Sequence, residues 1–166
     1  MTHQQLELDK MKYLFEKIEV DEFIDQQIIV LSKLMTDKKI EFTKTIESGL
    51  AVNADKVKLV AIFRNLVENS VVFVPEKNGK IEISAKSENN FVQFSIIDNG
   101  IGIPKDKIGT LFKKFHQIDT SHTREHGGSG LGLVICKGYI EGMKGSIRVE
   151  SDIRRGTTFF FTIPKA

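Results

Sequence analysis

The stretch His126–Cys136, HGGSGLGLVIC, constrains this chain more than any other. Four of the six residues from Gly127 to Gly132 are glycine, and an apolar run carries on to Cys136. Glycines this dense read as a loop with open backbone, and the apolar run as the helix it enters. Free N–H groups and the helix dipole at such a junction favour an anion. A dinucleotide fingerprint, G-x-G-x-x-G directly after a strand, does not fit. Gly128, Gly130 and Gly132 are spaced by two, and the polar HTREHG precedes them. A P-loop needs Gly-Lys followed by Ser or Thr, and that pair is missing. Two readings stay open: an anion-holding helix start, and a loop whose glycines only allow close packing.

The elements around this junction follow from periodicity. Phe23, Ile24, Ile28, Val30, Leu31 and Leu34 recur with a helical period, and KIEFTKTI (39–46) alternates as a strand. A long helix is predicted from Asn53 or Asp55 to Val74, both starts being acceptable caps. Strands follow at 79–87 and 90–98 across the turn-like ENN. IGTLFKKF (108–115) reads as a short helix, GLGLVICKGYIEGM (130–143) as a long one, and 145–151 with 156–164 as a closing hairpin. Without strict βαβ alternation, the pattern predicts an α+β fold: a two-layer α/β sandwich with helices on one face of a mixed, mostly antiparallel sheet.

Two further stretches carry polar groups in unusual places. On the helix 53–74, at about 100° per residue, Leu59, Val60, Phe63, Val67, Val71 and Val74 form the apolar stripe, with Arg64 and Glu68 away from it. Asn65 and Asn69 share a shoulder with Ile62, Leu66 and Phe73. Half-buried amides need partners, either backbone or water, or else a metal ion or nucleotide. In IIDNGIGIPKDKI, Asp98 ends a strand and Asn99-Gly100 turns the chain, with Gly102 keeping the backbone open. That is ordinary turn chemistry, or a carboxylate placed to accept from an exocyclic amine.

Composition narrows the classes. A length of 166 residues suits one domain with a single core, and a net charge of +2 gives no nucleic-acid footprint. MTHQQLELDK has no apolar core, so no cleaved leader is expected. One cysteine, Cys136 in an apolar run, reads as core packing in a cytoplasmic setting. His116, His122 and His126 match no zinc spacing.

Taken in order, NLVENSVVFVP, DNGIGIP, LFKKFHQID, GGSGLGL and GTTFFFTIP resemble the N, G1, F, G2 and G3 boxes of the sensor histidine kinase catalytic domain, the ATP-binding module of the Bergerat (GHKL) fold. The resemblance spans residues 20–164. It implies a catalytic domain at 20–166, preceded by a linker remnant at 1–19. QIDTSHTREHGGSGLGL is similar to the lid of hybrid-type kinases.

The resemblance implies ATP and Mg²⁺ as cofactors. Asn69 would hold the metal, with Asn65 beside it, and Phe73 would line the pocket. Asp98 would accept the adenine amine, with Gly100, Gly102 and Ile103 around the base and Thr157 near it. Phe112 and Phe115 would anchor the lid. Gly128, Gly130 and Gly132 would hold the phosphates, with Leu131 and Leu133 packing the hinge. Val72 and Gln117 depart from the family pattern, which leaves Arg124 and Lys114 as candidates to neutralise the γ-phosphate.

No phosphoacceptor box is present: His3 is followed by QQLEL. The resemblance therefore implies a domain that works on a helical dimerisation and phosphoacceptor domain and, downstream, a response regulator. It is expected to be monomeric alone and cytoplasmic, either the excised catalytic domain of a parent protein that is free or membrane-tethered, or a natural stand-alone chain. Two alternatives share the fold, an ATP hydrolase and a nucleotide-binding pseudokinase. Hydrolases of this fold place a glutamate where Asn65 stands, and Glu68, about 60° round the helix, is a poor substitute.

Overall fold

The computed structural model describes residues 12–34, 38–112 and 131–166. In order these form β1 (Phe15–Glu19), α1 (Val20–Leu34), β2 (Ile40–Ile46), β3 (Ala51–Asp55), α2 (Lys56–Phe73), β4 (Gly79–Glu88), β5 (Phe91–Asp98), α3 (Lys105–Ile108), α4 (Leu131–Gly142), β6 (Ile147–Asp152) and β7 (Gly156–Pro164). The main sheet runs β2-β4-β5-β7-β6; β2 is parallel to β4 and the other neighbours are antiparallel. α1, α2 and α4 pack against it, giving the expected sandwich. Strand alternation sends Ile81, Ile83, Val92, Phe94, Ile96, Phe159, Phe161 and Ile163 into the core.

Phe63 of α2 is the keystone of that core. Its ring meets Phe23, Phe94 and Phe161 edge-on at 5.6, 5.4 and 5.3 Å, while Phe94 and Phe161 stack at 4.9 Å. Each such pair adds about 0.5–1.5 kcal/mol beyond the area it buries.

Several expectations shift. The linker predicted at 1–19 holds a strand: Phe15–Glu19 pairs antiparallel with β3 and buries Ile18. β3 takes residues the sequence assigns to the start of the long helix. Of the two starts offered by the sequence the later one holds: the helix begins at Lys56, with Asp55 as N-cap accepting from Lys58 N at 3.1 Å. Val30 and Leu34 of α1 are exposed, lying at the stripe's edge and the helix's last residue.

The buried face of α2 is Leu59, Ile62, Phe63, Leu66, Val67 and Ser70, rotated towards the asparagines, with Val60 and Val71 only half-buried. The cause is a second partner, since α2 packs on α4 as well as on the sheet. The short helix lies at Lys105–Ile108, after Pro104, rather than at 108–115. Gly109–Phe112 follow as turns, and residues from 113 on lie outside the described ones.

Candidate functional site

At one end of the sandwich, α2, the end of β5 and the start of β7 surround a recess. Asn69, Phe73, Asp98, Ile103, Leu111, Leu133, Thr157 and Phe159 line it. Six of these are residues the sequence singles out. Leu111 and Phe159 are not, although Phe159 stands two residues beyond Thr157, on the same strand face.

Asp98 is set at the recess by strand register and then locked by backbone. Its Oδ1 accepts from Gly100 N at 2.8 Å and from Thr157 N at 3.2 Å. No hydrogen bond within the described residues ends on Oδ2. Burial pushes the carboxyl above the ordinary aspartate range, opposed by the Gly100 amide, the nearby Ser70 hydroxyl and the Thr157 amide. The Ser70 hydroxyl, itself buried beside Asp98, makes no hydrogen bond of good geometry among the described residues.

Phe73 sits at the last turn of α2, whose closing carbonyls are capped by one ammonium. Lys38 Nζ donates to the carbonyls of Val71, Val72 and Val74 at 2.9, 3.1 and 2.8 Å. Ile101 N donates to Phe73 O at 3.3 Å, joining the helix end to the turn after Asp98. Gly100 and Gly102 serve this close packing. A Cβ on Gly100 would stand 2.7 Å from Phe73 O. On Gly102, at φ +79°, it would stand 2.2 Å from Asp152 O.

The two asparagines divide. Asn69 lines the recess, and its Nδ2 donates to Asn65 O at 2.7 Å. A carbonyl only accepts, so this contact fixes the amide's donor end and leaves Oδ1 as the group available to a ligand. Asn65 faces α4 instead. A Cβ on Gly132 would stand 3.1 Å from Asn65 Oδ1, and Asn65 lies beside the buried thiol of Cys136, which burial pushes up to about 12. Cys136 is core, as expected, with its Sγ 3.8 Å from Ile62 O. Glu68 is drawn away into an ion pair with Arg64 at 2.9 Å.

Lys114, Phe115, Gln117, Arg124, Gly128 and Gly130 lie outside the described residues, as do His116, His122, His126 and the Leu131 side chain. Phe112 is half-buried against the core.

The family profile for "Histidine kinase-, DNA gyrase B-, and HSP90-like ATPase" matches residues 54–166. The chain belongs to this family. It is 41% identical over 119 residues to the autoinducer 2 sensor kinase/phosphatase LuxQ of Vibrio vulnificus, covering 68% of this chain and 14% of LuxQ. The catalytic domain of histidine kinase ThkA, in a nucleotide-free form, superposes with a TM-score of 0.79 at 28% identity, over 92% of this chain and 96% of that one. Full-length ShkA in complex with AMPPNP gives a TM-score of 0.83 at 25% identity, over 98% of this chain and 34% of that one. ThkA is also solved in complex with the response regulator protein TrrA, with a TM-score of 0.76 at 27% identity, over 98% of this chain and 46% of that one. The chain thus spans a small part of its curated relatives. Within this ATPase family it is an ATP-binding catalytic domain of the histidine-kinase kind.

Proposed function

We propose that the recess binds ATP with Mg²⁺, and that the domain presents the γ-phosphate to a histidine on a separate helical dimerisation and phosphoacceptor domain. The observation that carries this is Asp98. Its Oδ1 is held by two backbone amides, and its Oδ2 is left as an acceptor at the recess, matching a base amine. Phe73, Ile103 and Phe159 supply apolar walls on which a base can lie. Asn69 offers Oδ1, a hard oxygen donor that suits Mg²⁺, and Asn65 would steady it through the backbone carbonyl that binds Nδ2. When bound, the metal would neutralise phosphate charge.

Catalysis of this kind rests on positioning and charge compensation. The attacking histidine would come from the partner domain and the γ-phosphate contacts from the lid, with Arg124 our candidate. A response regulator would receive the phosphoryl group next. Hydrolysis fits less well: Asn65 cannot act as a base, and Glu68 is paired to Arg64 away from the recess. The reading includes a cytoplasmic setting, in keeping with one buried, free cysteine.

The test titrates ATP, with and without Mg²⁺, against the wild-type chain and Asp98→Asn. Binding that is strong in the first and lost in the second is expected. Equal binding by both, or none by either, would sink the assignment. Labelled ATP with a helical acceptor domain should label that domain; steady phosphate release without it would favour hydrolysis.

A further inference from the structure

Ser151 on β6 stands behind two residues that line the recess, Ile103 and Thr157. Its Oγ accepts from Ile103 N at 2.7 Å, reaches Gly156 O at 3.0 Å and lies 2.8 Å from Thr157 Oγ1. Ile103 and Thr157 are buried and line the recess; Ser151 is half-buried behind them.

The polarity of these three contacts is not free. A hydroxyl has one proton and two lone pairs, an amide N–H only donates, and a carbonyl only accepts. The Ile103 amide takes one Ser151 lone pair, and the Gly156 carbonyl takes the Ser151 proton. The third contact then closes only if Thr157 donates its own proton to Ser151. With that proton committed, the Thr157 hydroxyl can offer the recess lone pairs alone. Asp98 lines the same recess and takes the Thr157 amide on Oδ1, which leaves Oδ2 as a second acceptor. A ligand group entering between them must donate.

We propose that Ser151 determines base specificity by position. It takes the Thr157 proton, makes this end of the recess acceptor-only, and so selects a purine bearing an exocyclic amine over one bearing a carbonyl there. The inference rests on the nucleotide reading above. Ser151 itself does not line the recess.

The experiment measures equilibrium binding of ATP and ITP, with Mg²⁺, to the 166-residue chain. ITP carries a carbonyl where ATP carries the amine. The wild type should prefer ATP. Ser151→Ala leaves Thr157 free to turn its proton towards a carbonyl, so the ITP-to-ATP ratio of Kd values should narrow by about fivefold or more. Ser151→Cys, of similar shape but a poor acceptor, should narrow it too, which keeps the test alive if the alanine variant unfolds. In a Thr157→Val background, Ser151→Ala should no longer change the ratio. Equal weakening of both nucleotides by Ser151→Ala would overturn the proposal, as would narrowing that persists without the Thr157 hydroxyl. A wild type that binds neither nucleotide would overturn the nucleotide reading itself.

Discussion

The side-chain carbonyl of Asn65 lies 3.1 Å from the point where a β-carbon on Gly132 would stand. Helix α2 is thereby fitted to the first turn of α4 through a space that only a hydrogen occupies. Gly132→Ala should raise helix propensity by up to ~1 kcal/mol while pushing the Asn65 tip aside by a few tenths of an ångström. We expect a melting temperature no lower than wild type, with MgATP affinity reduced about fivefold, or roughly 1 kcal/mol. Calorimetric melting and binding titration separate the two, and unchanged affinity would show that the placement of Asn65 is immaterial.

The raised pKa of Asp98 makes nucleotide binding pH-dependent. Protonation removes the acceptor, so affinity should hold near neutral pH and fall as pH drops through a midpoint above the ordinary value of ~3.9. Stability runs the other way. The fold disfavours the ionised form, so the ligand-free protein loses this contribution as pH rises through the folded value. Asp98→Asn, with no carboxylate to titrate, should fail to bind at any pH yet melt no lower than wild type at neutral pH. A titration midpoint at or below the ordinary aspartate value would contradict this.

Asp55 has the opposite sign. Burial pushes it up, but the amides of Leu14 and Lys58 and the Lys58 ammonium outweigh that and hold it low. Its stabilisation is present above the unfolded value of ~3.9 and is lost as pH falls through the depressed folded one. Asp55→Ala should cost about 1–2 kcal/mol in urea unfolding at neutral pH, as removal of a helix cap does. The gap from wild type should shrink in acid; a gap that stays constant would rule out the charge as its source.

Phe63→Ala removes the ring common to three edge-on pairs and should cost about 3–5 kcal/mol by chemical denaturation. A loss under 1 kcal/mol would mean the layers repack without it.

What the sequence reveals depends on how far each signal reaches. The hairpin β6–β7, the strands at 79–98 and the cap at Asp55 announce themselves through local alternation and turn or cap residues. β1 and β3 do not: each is five residues long, and Ala51 and Ala54 carry little strand preference. The roll of α2 towards Ile62 and Ser70 is set by α4, about seventy residues later, which no periodicity encodes. Asp98 and Asn69 are legible because their residue types are odd for their places, whereas Thr157, an ordinary strand residue, stands out only through the resemblance to the family's last box. Ser151 and Lys38 are not, since a strand serine and a loop lysine look ordinary until their partners arrive.

One oxygen of Asp98 receives both the amide of Gly100, just past the end of β5, and that of Thr157, at the start of β7. Helix α4 and strand β6 lie between these two in the chain, so the atom joins stretches that the sequence holds far apart. Whatever displaces that carboxylate loosens the turn after β5 and the head of β7 together, and the recess they flank is open to disturbance from either side.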